Sequence, residues 1–443
     1  MSGISDALFS SADHLRGLGR ALAIIQSNVG NASTPGYARQ DLVSSESITK
    51  VSVQQQSSRN DYAEQAVRRQ NALLGRYDQS SSILRLVEPT FGVSGDAGIP
   101  EAIGDLFATF SGLTASPNDT RSRQLVLDRA AQLGRAFNSA AQTLQRVEGE
   151  SRHQVTASVD AINRLATLVR DFNVRRADNV DIASDPAVAA RLHETLEQIS
   201  EFADVQAIRQ SDGAITLLLG GQTALVVGEQ LFPIQADLTS GPQVVIRNSD
   251  GVDVTSHVTS GRLSGALTAI NQQLPSYRNG LDQLAQSVAD SINAALAAGV
   301  DINGAAGAPL FTYQPPNIAA TLARTGITIA EIAAATPTAP GGNGNALALS
   351  AIETQNTISG LTFAGFYGNL AASVGRDLAD ATDNRSVQQS LLAQARSQRS
   401  EGQGVSLDEE AVRLIEYQRA YQATARMVTV LQELTQVTIN MIR

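Results

Sequence analysis

The last stretch of this chain carries more apolar surface than one helix can hide. No proline follows Pro340, and from Val405 to Ile442 apolar residues recur every three or four positions on two faces. Met427, Val430, Leu434, Val437 and Met441 form one stripe, and Leu414, Tyr421, Val428, Leu431 and Ile442 form another. Such a helix has about 38 residues and is roughly 57 Å long, too long to lie against one compact body. Burying each of these side chains is worth about 1.5–3 kcal/mol, so both stripes need cover. One stripe can pair with a helix of the same chain, and the other calls for a neighbouring chain.

The other end of the sequence supplies the first partner. Ile4, Leu8, Leu15, Leu18, Leu22, Ile25 and Val29 alternate spacings of three and four, interrupted only at Ser11. That is an a/d heptad seam. Gly30, Asn31 and Pro35 stop the helix. The polar break "NVGNASTPGYARQ" (28–40) then reads as a catalytic loop, a glycine-rich ligand loop or a joint between segments.

Between the ends, the pattern is mostly helical. Residues 41–60 lean towards β-structure, with weak alternation at Val51 and Val53. A helix is predicted over Asp61–Leu86, and Pro89, Pro100 and Pro117 punctuate a loop and a short helix. Asn118 to Phe172 reads as long helical segments, with Leu125, Leu133, Phe137 and Leu144 on one face. Pro186–Phe202 is a further helix, capped by Ser184 or Asp185. At residue 205 the character changes. "AITLLLGGQTALVVGEQLFPI" is a strand, a Gly-Gly turn and a second strand, and "PQVVIRNSDGVDVTSHV" looks like another hairpin. Helix returns over Ser264–Ala298 with a kink at Pro275. Residues 300–347 read as loop, with "APGGNGNA" a linker, and Leu370–Ser400 as helix.

The fold class is therefore mainly α with a β insertion, elongated and multi-domain. Residues 1–50 with 401–443 make a coiled-coil-like terminal domain of paired N- and C-terminal helices. Residues 51–203 with 262–400 make a helical-bundle middle domain, and 204–261 a small β-rich outer domain. At 443 residues the chain exceeds a single typical core.

Composition narrows the function. A net charge of −10 argues against nucleic acid or an anionic membrane as the main partner. No apolar run is long enough for membrane insertion, and the opening residues show no cleavable signal peptide. Without cysteine there is no disulfide or thiolate chemistry. His14, His153, His193 and His257 are dispersed, and read as surface or partly packed side chains. No nucleotide-loop, zincin or serine-hydrolase pattern occurs. In "LDEEAVRLIEYQ" (407–418), Asp408, Glu409 and Glu410 follow the N-cap Ser406 and complement the helix dipole. Tyr417 and Tyr421 share a face suited to packing. The basic spots Arg121 with Arg123, and Arg175 with Arg176, fit a solvated helix face. In the β-segment, Asp212, Glu229, Asp237, Asp250 and Asp253 all adjoin turns. No catalytic, cofactor-binding or metal residues are predicted.

Both ends resemble the axial proteins of the bacterial flagellum (rod, hook and hook-associated). That family carries an N-terminal heptad helix and then "N-x-x-N-x-x-T-P-G-Y-x-R", here Asn28, Asn31, Thr34, Pro35, Gly36, Tyr37 and Arg39. Its last helix opens "G-V-x-L-D-E-E" and continues "L-I-x-Y-Q-x-A-Y-Q-A-x-A", here Gly404 to Glu410 and Leu414 to Ala425. "GYARQ", "ALLGRYDQSSSILRLVEPTF" and the helix after Ser260 resemble the hook-associated members more than the β-rich hook protein. The likeness departs at 300–350, where larger members carry a further β-domain.

The resemblance implies a structural protein of the hook–filament junction, located outside the cell in the flagellum. It implies export by the type III apparatus without a cleaved signal, and an export chaperone on the C-terminal helix. Subunits would form a homo-oligomeric ring between hook protein and a second junction protein, with the cap and flagellin side contacted indirectly. The assembly residues it points to are Leu8, Leu15, Leu18, Leu22, Ile25, Val29, Asn31, Pro35, Gly36, Tyr37 and Arg39 at the N-terminus. At the C-terminus they are Leu407, Leu414, Tyr417, Tyr421, Met427, Val430, Leu431, Leu434, Val437 and Met441. Another axial component, rod or hook, is the alternative, and a secreted peptidoglycan-cleaving enzyme a further one.

Overall fold

The computed structural model describes residues 2–47, 50–92, 98–179, 185–239, 241 and 243–442. The chain is mainly α with small antiparallel sheets inserted. It divides into two compact units, one of residues 1–74, 161–233 and 388–443, the other of 75–160 and 234–387.

In the first unit, α1 (Ser2–Gly30) packs along the last helix, α11 (Leu407–Ile442). Leu18, Ala21, Ile25 and Asn28 of α1 are buried, and Leu8, Leu15 and Leu22 half-buried. The heptad reading misplaces its last position. Val29 is 44% exposed, and Asn28 occupies the seam in its place. Ser11 is half-buried within the seam rather than a gap in it, its hydroxyl 3.9 Å from Met427 Sδ. The side chains of Ile4 and Ile442 lie outside the described residues.

After the break, β1 (Gln40–Ser47) and β2 (Lys50–Ser57) form an antiparallel hairpin in register from Gln40↔Ser57 to Ser47↔Lys50. The side chains of Val51 and Val53 fall outside the description. Asn60 caps α2 (Asp61–Val87), its Oδ1 accepting the Tyr62 and Ala63 amides at 3.0 and 3.3 Å.

Later in the chain come α3 (Ile99–Ala115) and α4 (Thr120–Asp178), then α5 (Pro186–Phe202). Where segments are predicted, α4 is one helix of 59 residues. Its buried face passes through Val126, while Leu125 points outward at 43% exposure. Asp185 caps α5, accepting from the Ala187 and Val188 amides; Ser184 lies outside the described residues. The strands β3 (Val205–Arg209), β4 (Ile215–Leu219), β5 (Thr223–Val227) and β6 (Gln230–Leu231) form a meander in the first unit. Gly220 and Gly221, at φ of 56° and 71°, make the β4–β5 turn that needs two left-handed residues. Buried Asn173 of α4 clamps this sheet, donating to Ile215 and Gly228 carbonyls and accepting the Ile215 amide at 2.8 Å.

The second unit takes the remainder of α2, α3 and the first part of α4. It adds β7 (Gln235–Asp237) and β8 (Val245–Arg247), which pair with each other. The predicted hairpin within 242–258 is present in short form, with Arg247 and Asp253 in an antiparallel bridge. Its turn exists, with the Val254 amide bonded to Ile246 O, but the strand partner of β8 comes from before it. Next are α6 (Gly261–Thr268) and α7 (Leu274–Ala297), joined by a π-turn at Ala269–Gln273. That turn is how the chain absorbs Pro275, which has no amide to donate.

The predicted linker is not one. Short strands β9 (Phe311–Thr312) and β10 (Ala323–Arg324) pair around the one-turn helix α8 (Ile318–Thr321). Ala333, Ala334 and Ala335 are buried, and "GGNGNA" leads into α9 (Gly344–Ala351). Asn343 bonds to Thr114 O at 2.7 Å and buried Asn345 to Ala333 O at 2.6 Å. Arg123 is likewise buried rather than solvated, donating to the carbonyls of Pro117, Ile329 and Ile332. With the first part of α10 (Phe363–Gln403), an aromatic core closes this unit. Phe91 meets Tyr277 and Tyr367 at centroid distances of 6.0 and 6.4 Å, and Phe107 stacks on Phe363 at 6.0 Å.

Candidate assembly interface

The break "NVGNASTPGYARQ" folds as a rigid corner, held chiefly by one side chain. Asn28, buried at the end of α1, accepts the Tyr37 hydroxyl at 2.9 Å and the Gln40 amide at 3.0 Å on the same Oδ1. Its Nδ2 donates back to Gln40 O at 2.9 Å. Asn31 caps the helix end, its side chain donating to Ser27 O, and Thr34 and Tyr37 close successive turns onto Asn31 O and Thr34 O. Gly36 has φ +73°, and a Cβ there would sit 2.5 Å from Ala190 O, so only glycine fits.

The chain's return is fastened to this corner. The Arg39 amide donates to Gln403 O at 2.9 Å, and its guanidinium reaches Glu409 at 3.3 Å. Arg413 of α11 bonds to Asp41 at 3.0 Å. Behind lies a charge network that sequence reasoning missed. Buried Glu64 accepts from Arg59 at 2.6 Å, Gln403 at 2.7 Å and Arg399 at 3.2 Å. Arg59 also donates to Gly36 O at 2.6 Å, and Arg399 and Arg396 both bond to Glu197. A signal for it existed: Glu64, Arg68 and Asn71 share the helical spacing of buried Val67, so they are polar residues on a core face.

Burial depresses the Arg59 and Arg68 guanidiniums below their ordinary value. Glu197 is pushed up by burial, but Arg399 and Arg396 outweigh that and hold it low. His193, buried among Arg59, Arg68, Arg209 and Arg399, falls from 6.5 to about 2, chiefly through desolvation. It is a neutral packed imidazole. Among the described residues no cluster has the ligands for a metal ion. A pocket of about 250 Å³ at the corner, lined by Pro35, Gly36, Glu64, Arg396 and Arg399, carries fixed charges committed to one another.

α11 shows its two stripes differently. Leu414, Tyr417, Val428 and Leu431 are half-buried on a helix that packs along α1. Met427, Val430, Leu434 and Val437 are about half exposed and Met441 more so; Leu407 and Tyr421 are also exposed. The structure thus brings Leu8, Leu15, Leu18, Leu22 and Ile25 to the α11 seam, and gathers Asn31, Pro35, Gly36, Tyr37 and Arg39 at the corner. It leaves Val29 and the stripe of Met427, Val430, Leu434, Val437 and Met441 largely exposed.

With this geometry in view, the comparisons with known proteins are decisive. Residues 84–311 match the family described as "Flagellar hook-associated protein FlgK helical domain". The chain belongs to the flagellar hook-associated protein FlgK family. Residues 396–441 match "Flagellar basal body rod FlgEFG protein C-terminal". The chain is 23% identical to flagellar hook-associated protein 1 of Bacillus subtilis, over 95% of each chain. It is 24% identical to that of Escherichia coli, over 56% of this chain and 46% of that one. For Salmonella typhimurium the values are 23%, 67% and 57%. In structure it is similar to the flagellar hook junction protein FlgK from Burkholderia pseudomallei, with TM-score 0.67 and 17% identity. That likeness covers 76% of this chain and 100% of the other, and shows the fold.

Proposed function

We propose how this chain, a structural protein of the flagellar hook–filament junction, builds that joint. Copies assemble into a ring by covering the exposed stripe of α11, while the Asn28 corner sets the angle at which the terminal pair leaves the rest of the chain. The observation that carries this reading is the half-exposed row Met427, Val430, Leu434, Val437 and Met441, beside a seam that α1 already covers. An apolar row of that length on a soluble subunit marks a contact surface.

On this reading residues 1–50 with 401–443 form the assembly domain, 51–203 with 262–400 the helical body and 204–261 an outer β-element. Hook protein lies on one side of the ring and a second junction protein on the other, towards cap and flagellin. The subunit leaves the cell through the type III export apparatus, its exposed stripe shielded by an export chaperone until assembly. It performs no catalysis: in the network behind the corner, Glu64 and Glu197 are paired with Arg59, Arg396 and Arg399 rather than aimed into a cleft.

Leu434→Asp tests the reading. The monomer should keep its melting behaviour, because the side chain is half exposed, yet fail to enter the junction. Normal motility would contradict the role given to the stripe.

A further inference from the structure

At its N-terminal end α11 holds a group that the joint leaves unused. Glu410 is the one buried residue among the described residues of α11, at 1% exposure. Neither of its carboxylate oxygens has a hydrogen-bond partner. The ion pair it makes with Arg413 is long, 3.9 Å, because that guanidinium bonds to Asp41 at 3.0 Å instead. A carboxylate stripped of water and given no donor in exchange is costly, and such a group signals a partner yet to arrive.

Glu410 lines a pocket of about 450 Å³ between α1, β1 and α11. Its charged lining is three carboxylates, Asp41, Glu410 and Glu416, against the guanidiniums of Arg39 and Arg413. Both cations are already engaged, Arg39 with Asp41 and Glu409, and Arg413 with Asp41. The pocket therefore has spare negative charge and an unfilled acceptor.

We propose that this pocket receives an arginine guanidinium from a second copy of the chain. Of the 33 lysines and arginines in the sequence only Lys50 is a lysine, so the cation most available from another copy is a guanidinium. Arg419 and Arg426, seven residues apart on α11, are exposed and make no ion pair among the described residues. Arg426 adjoins Met427 and Val430 of the exposed stripe, so packing that covers the stripe carries this arginine to a neighbour. The planar fork of a guanidinium can bond both oxygens of one carboxylate.

The inference rests on self-assembly through α11, and cross-linking separates the two. The chain has no cysteine, so engineered pairs report cleanly in assembled junctions of full-length protein. Glu416→Cys copies mixed with Arg426→Cys or Arg419→Cys copies should couple through a short bifunctional thiol reagent. Met427→Cys mixed with Leu434→Cys is the control for the stripe. If the control couples and neither pocket pair does, the pocket inference is wrong and self-assembly stands. If nothing couples, both are wrong. Glu410→Gln should reduce junction incorporation at least tenfold, while the monomer melts no lower than the wild type because a costly buried charge is removed. Glu410→Arg combined with Arg426→Glu or Arg419→Glu should recover incorporation beyond either single variant. Wild-type incorporation of Glu410→Gln would overturn the proposal, and if that variant fails to fold, the cross-links decide.

Discussion

The second unit and the α1–α11 pair bury their helices by opposite means. In the second unit Phe107, Phe110, Tyr277, Phe363 and Tyr367 are almost wholly inaccessible, and α7 alone buries Leu281, Leu284, Val288 and Ile292. In α11 the sole buried side chain among those described is a carboxylate, and its leucines and valines are half-buried or exposed. One region completes its core from its own chain. The other is built with half of its cover missing, as a subunit must be if neighbours are to supply it.

Substitutions should separate the regions. Phe107→Ala, which empties a fully closed aromatic contact, should cost about 3–5 kcal/mol, read in urea unfolding. Leu431→Ala, at the half-covered seam, should cost about 1 kcal/mol in the monomer and much more once assembled. Equal losses in the monomer would erase the distinction. Gly36→Ala should cost about 1–3 kcal/mol, from its left-handed backbone and the approach to Ala190 O. Its effect should concentrate in the first unit, which limited proteolysis can resolve.

A further expected effect depends on pH. His193 is neutral when folded, with its value lowered to about 2, whereas the unfolded imidazole protonates near 6.5. The unfolded state thus binds the extra proton, so stability is complete above pH 6.5 and declines as pH falls, by about 1.4 kcal/mol per pH unit. Between pH 6.5 and 5 the paired Glu197, held below its usual range, stays charged in both states and adds nothing. Urea midpoints of the first unit should therefore fall over that window, and His193→Gln should flatten the slope. An unchanged slope would mean that the imidazole is not sealed among its arginines.

Much of this was legible because turn chemistry is local. Asp185 with Pro186 marked the start of α5, the Gly-Gly pair marked the β4–β5 turn, and the terminal heptads marked the α1–α11 pair. Misreadings arose where packing uses other means than apolar periodicity. Asn28 holds a seam position through hydrogen bonds to Tyr37 and Gln40, so an apolar pattern passed over it for Val29. Residues 333–346 pack through small alanines and asparagine amides bonded to carbonyls, which read as a linker. Arg123 and Glu64 are charged residues that the fold encloses, visible in sequence only as polar breaks in a buried face.

Hydrogen exchange of α11 in the free subunit and in assembled junctions tests the central claim most directly. In the monomer, amides from 425 to 441 should exchange far faster than those of α7, and assembly should slow them by at least about a hundredfold. The α7 amides should stay as they were. Protection of α11 in the monomer equal to that of α7, or no gain in protection on assembly, would contradict the account.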